Sequence, residues 1–352
     1  MGPHNELTTL LNIRYPIVQG PFGGGLSSIE LLSTVSNAGG LGSYGAHHLS
    51  PEEIGPLVAN IRLKTSSPFA INLWLSNSDH DENVSRDQFE QYADLFGPIY
   101  RRFNLPLPNY VEHYSENPAD QVDAAIQAAP PVLSFVFGVP DHEVIDRCKE
   151  KNIITIGTAT TVSEAIALKK VGIDLVVATG FEAGGHRVSF LKEPEDCLTG
   201  TFALIPQVVD QLDIPVIAAG GIADIRGVRA AMALGAQGVQ IGTAFLACKE
   251  SGTSNQHRQI LFKKQSEATV LSRAYTGRLA RFVENEYIRA IEKTAQLPLP
   301  FPLQSFFSKA IKTAATKKND DEYMSLYAGQ AVSLLKHQRA EMLFQSLVTD
   351  FL

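Results

Sequence analysis

The residues best suited to chemistry lie in the stretch Thr179-Gly180-Phe181-Glu182-Ala183-Gly184-Gly185-His186-Arg187. Gly180, Gly184 and Gly185 remove side chains where a backbone would have to pass close to a flat or phosphorylated ligand. His186 then supplies the one side chain whose unperturbed pKa lies near neutrality. The apolar run Leu175-Val176-Val177-Ala178 just before it reads as a strand buried on both faces, which would aim the turn. Alone, such a segment reads more readily as a glycine-rich turn with an incidental surface histidine, so its meaning rests on the elements around it.

Those elements repeat one unit of strand, turn and helix. Strands are predicted over 16–19, 41–44, 69–74, 132–137, 153–156, 175–178, 215–218 and 238–241, eight in all. Helices are predicted over 29–37, with Ser27 or Ser28 as N-cap, over 51–63, and over 119–129, 141–151 and 162–171. For the second helix Ser50 is the cap, Pro51 the first helical residue and Glu53 the partner of a capping box. Eight short apolar strands alternating with helices predict an α/β fold, a parallel (β/α)8 TIM barrel. The structural alternative is an open doubly wound sheet, but no GxGxxG follows the first strand and no acidic residue ends the second.

Two segments leave the repeat. Residues 75–118, after the third strand, are polar and then rich in aromatics and prolines, which predicts an insert rather than a plain connection. Residues 251–352 are expected to form a mainly helical C-terminal segment that packs with the insert as a lid over the pocket of a barrel spanning 1–250. Tyr110 and Tyr275 are the candidate substrate-pocket residues.

In such barrels the active site lies at the C-terminal ends of the strands, and phosphate is often held by the loops after strands seven and eight. Ala219-Gly220-Gly221-Ile222 and Gly242-Thr243-Ala244 stand at those two places, offering bare backbone N–H groups and one hydroxyl. His186 follows strand six and Asn72 ends strand three on the same rim, so His186 is the candidate general base or proton donor. His47 and His48 are weaker candidates. His4, His80, His113, His142, His257 and His337 read as surface residues.

Composition narrows the partners. The chain has 352 residues, 44% hydrophobic and 19% charged, with 37 acidic against 30 basic side chains and a net charge of −7. No long run of either sign occurs, which argues for a small-molecule ligand and against nucleic acid or an anionic membrane. Cys148, Cys197 and Cys248 form no CxxC and no Cys/His cluster, so neither a disulfide framework nor a metal site is expected. No stretch approaches the length of a membrane span, and a soluble, cytoplasmic protein, monomer or homodimer, is expected.

The segments 178–187, 215–224 and 238–246 resemble the signatures of the nitronate monooxygenases, formerly called 2-nitropropane dioxygenases. The resemblance continues through Pro16 to Gly25, Ser36 to Gly42, Ile71-Asn72-Leu73, Ser134 to Pro140 and Tyr327-Ala328-Gly329-Gln330. The last two, with the tyrosine-rich insert, are similar to the larger, propionate-3-nitronate-oxidising class. The resemblance implies an FMN-dependent monooxygenase, in a detoxifying role, that oxidises alkyl nitronates with O2 to carbonyl compounds and nitrite without NAD(P)H. It also implies that His186 is the group placed near the substrate and acts as base towards neutral nitroalkanes. Carried over by position, the FMN contacts are Pro21, Phe22, Gly23, Asn72, Thr179, Gly184, Gly220, Gly221, Gln240, Gly242 and Thr243.

The chain departs from the family pattern in three places. Thr179 stands where glutamine is common. Phe282 to Glu286 diverge after the TGRxAR-like Thr276-Gly277-Arg278-Leu279-Ala280-Arg281, and Tyr327 stands where tryptophan is common. The alternatives are an FMN-dependent enoyl-acyl-carrier-protein reductase, which shares the glycine turn and phosphate loops, and a flavin-binding protein without turnover.

Overall fold

The computed structural model describes residues 4–76, 84–112 and 114–351. Eleven strands occur among them: β1 (Ile17–Gln19), β2 (Gly42–Gly45), β3 (Phe69–Trp74), β4 (Val132–Val136), β5 (Ile154–Ala159), β6 (Leu175–Thr179), β7 (Gly185–His186), β8 (Val216–Ala219), β9 (Gly238–Ile241), β10 (Thr269–Ser272) and β11 (Ala280–Val283). Eight of them form one parallel sheet in the order β1-β9-β8-β6-β5-β4-β3-β2. A parallel bridge between Val18 and Leu41 closes β2 back onto β1. The result is the (β/α)8 barrel that the alternation predicts.

Period-two alternation divides each strand between two cores. In β6, Leu175 and Val177 point into the barrel with Val18, Ala70, Val132, Ile156 and Ile217. Val176 and Ala178 point outward beneath the helices. Leu7 and Leu11, from the helix Glu6–Leu11, join the inner cluster, so this helix plugs the end of the barrel away from the glycine loops.

The helix Ile29–Asn37 is capped by Ser28, whose hydroxyl accepts from Leu31 N. Ser27 instead pins the first glycine turn: its hydroxyl donates to Phe22 O at 2.7 Å and accepts from Phe22 N and Gly45 N at 3.1 Å each. The helix Pro51–Arg62 has the Ser50–Glu53 capping box and Pro51 at its start.

Among its described residues the insert is, as expected, more than a plain connection. It holds the helix Arg86–Arg102, opened by a Ser85–Gln88 capping box. This helix packs on the tail helix Leu303–Lys318 around Phe96 and Phe307, whose rings stack at 4.9 Å and 5°. Tyr100 donates from its hydroxyl to Phe307 O at 2.7 Å. Together they form a second core, separate from the barrel's.

The tail is not helical throughout. β10 and β11 form an antiparallel hairpin, and β11 also pairs with β7, Ala280 opposite His186 and Arg281 opposite Gly185. A two-residue strand has no periodicity to read, so the sequence left this sheet invisible. Among the described residues no helix is long and apolar enough to cross a membrane.

Candidate active site

The turn after β6 is held from four sides. Arg187, 1% exposed, points back beneath it and donates to Thr179 O at 3.1 Å, Gly180 O at 2.7 Å and Cys197 O at 2.9 Å. Arg281 donates twice to Phe181 O, at 3.1 and 3.0 Å. The Glu182 carboxylate accepts from Thr201 N and from the Thr201 hydroxyl. From the tail, Gln330 N donates to Glu182 O at 2.9 Å. Such a turn is a rigid platform, since every one of these contacts is made to backbone or to the half-buried Glu182 carboxylate.

Above it lies a cavity of about 280 Å³ at the C-terminal ends of the barrel strands. His186 lines it, and so do all eleven residues expected at a cofactor, from Pro21 through Thr243. Tyr110 and Tyr275 do not. Tyr110 packs edge-on against Phe89, in the insert. Tyr275 is fully buried in the second core, stacked on Tyr287 and donating to Met324 O at 2.6 Å. The pocket-lining part of the tail is instead Thr276, Phe301, Ser305, Lys312 and residues 327–329 and 331, while the insert supports the tail helix from outside.

The glycine loops fit a bound nucleotide. A Cβ built on Gly242 would meet only Phe22, at 4.0 Å, and one on Gly185 would meet nothing within 4 Å. Both open onto the cavity. Gly184 is different: its Cβ would fall 2.5 Å from Gly329 N, so here glycine lets the tail approach the turn. Thr243 accepts from Gly329 N at 2.9 Å through its hydroxyl oxygen and keeps its own proton to donate. Asn72 is anchored by donating to the Ser134 hydroxyl at 2.9 Å.

The other end of the cavity is aromatic and cationic. Trp74 stacks on His47 at 3.9 Å and 7° and meets His186 edge-on at 5.2 Å. The Arg278 guanidinium lies over Phe137 at 4.1 Å and Phe301 at 4.4 Å, and donates to Ser76 O at 2.9 Å. The pKa of His186 is lowered to about 3, first by burial and then by the charges of Arg278 and Lys312. That of His47 is also lowered to about 3, by burial and then by His48, His186 and Arg278. Both imidazoles are therefore neutral at ordinary pH. His47 Nδ1 is buried without a hydrogen-bond partner among the described residues.

Lys312 is the residue the sequence reading missed. It is half-buried on the helix Leu303–Lys318, two turns beyond Ser305 on the same face, and burial lowers its pKa to about 8. It pairs with no carboxylate among the described residues. The i, i+7 spacing of Ser305 and Lys312 was the only sequence signal available.

Of the remaining histidines, His48, His4 and His142 are exposed and His337 is half-buried. His257 corrects the surface reading: it is 3% exposed, with Nε2 3.0 Å from Tyr327 O. His80 and His113 lie outside the described residues. The three cysteines are buried free thiols, and no group of His, Cys, Asp and Glu able to hold a metal occurs among the described residues.

The nitronate monooxygenase family model matches residues 4–350. A probable nitronate monooxygenase from Staphylococcus saprophyticus is 38% identical over 345 residues, covering 97% of this chain and 96% of the relative. One from Staphylococcus aureus is 36% identical over 351 residues, covering 99% and 98%. Among solved structures, nitroalkane oxidase from Streptomyces ansochromogenes superposes with a TM-score of 0.86 at 34% identity, covering 98% of this chain and 97% of that one. FabK from Thermotoga maritima superposes with a TM-score of 0.76 at 28% identity, covering 99% and 96%.

Proposed function

The chain belongs to the nitronate monooxygenase family and is a flavin-dependent oxidoreductase of nitronates; from that premise we propose that its flavin is FMN and its substrate a doubly anionic nitronate. Propionate 3-nitronate is the expected substrate, O2 the electron acceptor, and a carbonyl compound and nitrite the products. NAD(P)H takes no part.

The observation that carries this reading is the charge of the cavity beside His186. Lys312 offers an ammonium without a carboxylate partner among the described residues. A small anion gains from it, and the low local dielectric strengthens that attraction. The glycine loops at 219–222 and 242–244, with Gln240 and the Thr243 hydroxyl, would hold the FMN. When bound, the flavin supplies the oxidation of the nitronate and the reaction with O2.

The chain's own residues do the rest. Trp74, Phe137 and Phe301 keep water from the organic substrate. His186 orients it. Towards a neutral nitroalkane, neutral His186 can take the carbon-bound proton, although a pKa of about 3 makes it a weak base and favours substrates that arrive already deprotonated.

Anaerobic mixing tests the proposal. Propionate 3-nitronate is expected to bleach the bound flavin and NADPH to leave it yellow. Bleaching by NADPH instead would give the enoyl-acyl-carrier-protein reductase reading, and bleaching by neither would leave a binding protein.

A further inference from the structure

We propose that His47 is a second substrate-binding imidazole, whose Nε2–H donates to the nitronate oxygens while His186 faces the reacting carbon. The proposal rests on the reading that the cavity takes a nitronate, and it gives a task to a cavity-lining histidine that this reading leaves idle.

His47 follows β2 on the rim of the barrel, in a turn whose main chain is held from two sides. Gln121 donates from Nε2 to His47 O at 2.9 Å and to Leu49 O at 2.7 Å, and Ala46 N donates to Asn72 O at 2.9 Å. The ring is held as well. It stacks on Trp74, with centroids 3.9 Å apart and 7° between planes, and meets His48 edge-on at 5.6 Å. A Cβ on Gly23 would fall 2.3 Å from His47 Cε1, so glycine there admits the imidazole against the first turn. The same indole meets His186 edge-on at 5.2 Å, which sets both imidazoles beside one aromatic side chain of the cavity wall.

The two ring nitrogens are placed differently. Nδ1 is buried without a hydrogen-bond partner. Nε2 also has no partner among the described residues, yet it is not sealed in, and it opens on the cavity that His47 lines. With its pKa lowered to about 3, first by burial, the ring is neutral and carries one hydrogen. On Nδ1 that hydrogen would be a buried donor without an acceptor, the rarer of the unpaired states. On Nε2 it faces the cavity, where a ligand can take it. The wall has no acid to spare for it: Glu182 is the one carboxylate among the described lining residues, and both its oxygens accept from Thr201. An anionic acceptor for His47 arrives only with the ligand.

A nitronate carries its negative charge on the two oxygens of its nitrogen, so a fixed N–H binds it in the ground state. A neutral nitroalkane acquires that charge only as it loses its proton. The Cα–H bond breaks, the proton passes to the His186 ring, the electron pair forms the C=N bond, and the nitro oxygens take the charge. His47 gives no proton away, and its hydrogen bond strengthens as the charge grows. The two substrates therefore draw on His47 at different stages, one on binding and the other in the transition state.

The test compares flavin-loaded wild type, His47→Phe and His47→Gln in steady-state turnover of propane-2-nitronate, which has no second charge, and of 2-nitropropane, with flavin content measured for each protein. His47→Phe keeps a ring against Trp74 and removes the donor, and His47→Gln returns an N–H at similar reach. His47→Phe is expected to raise KM for propane-2-nitronate by about 10–100-fold with little change in kcat, and to lower kcat on 2-nitropropane by about tenfold or more with little change in KM. His47→Gln should recover most of both losses. A KM for propane-2-nitronate within about twofold of wild type in His47→Phe overturns the proposal. So does loss of flavin from both variants, which would put His47 at the flavin. Should His47→Phe not fold, 1H–15N correlation on 15N-histidine-labelled wild type, with His47 identified by the signals missing from His47→Gln, takes its place: a hydrogen on Nε2 is expected, and a protonated Nδ1 overturns the proposal. Wild-type protein that leaves propane-2-nitronate unoxidised overturns the reading on which the proposal rests, whereas normal wild-type turnover with an unaffected His47→Phe overturns the proposal alone.

Discussion

His186→Asn should separate the two jobs that this side chain can do. A nitronate reaches the site already deprotonated, whereas a neutral nitroalkane must first lose a carbon-bound proton, and a positioned general base is worth about 10²–10⁴-fold. Burial, Arg278 and Lys312 take His186 from its ordinary 6.5 down to about 3, which weakens the driving force for that transfer. The low end of the range is therefore expected: about 10²-fold lower kcat/KM on a nitroalkane, with a loss of less than about tenfold on propionate 3-nitronate. FMN content should be unchanged, because the residues that open onto the cavity at Gly242 and Gly221 lie on other loops. The assay is steady-state kinetics on both substrates, normalised to flavin absorbance. The sign with pH follows from the same shift: the neutral base persists as pH falls below 6.5, so nitroalkane turnover should show no acid limb near that value. Equal losses on the two substrates would refute the base role and leave His186 as an orienting group. No loss on either would remove it from the reaction.

Lys312→Met should raise KM for propionate 3-nitronate by about 10–100-fold, the worth of a hydrogen bond to a charged group, while KM for a neutral nitroalkane changes little. In the wild type, kcat/KM for the anion should fall as pH rises through about 8, where the ammonium is lost, and that limb should be missing in the variant; an unchanged KM would detach Lys312 from the substrate. Gly242→Val should fold normally, because its side chain enters open space, yet purify with little flavin, and a fully yellow variant would show that the nucleotide lies elsewhere. Phe307→Ala should cost about 3–5 kcal/mol in denaturant unfolding by emptying the contact between insert and tail helix, and a loss below about 1 kcal/mol would mean that the second core is loosely packed.

The barrel was legible because its signals are local and redundant. The helices Ile29–Asn37 and Val162–Val171 and the strands Phe69–Trp74 and Gly238–Ile241 have the limits that their apolar runs and bounding residues indicate. The glycine loops were legible for a related reason, since a backbone that opens onto a cavity needs glycine whatever the tertiary context. What stayed hidden depends on distant contacts. Tyr275 and Tyr110 are aromatic residues of the kind that lines pockets, but the second core absorbs both, and which face of a tail helix meets the cavity is decided by packing. The helix Arg86–Arg102 was readable in principle: Ser85 and Gln88 spell a capping box, obscured by the prolines that follow.

The pairing of β7 with β11 sets the order in which the molecule can be completed. Its partners are separated by roughly a hundred positions along the chain, a slow, non-local contact by its nature. A chain emerging from the ribosome has made every barrel strand by Ile241, and with them the loops at Gly220 and Gly242. His186 then still has no neighbour for its edge, and Thr276 and Tyr327 have not appeared. The half of the site suited to a nucleotide is thus finished early, and the half suited to chemistry is finished last. For anyone transplanting this turn to another barrel, residues 269–283 are part of the graft.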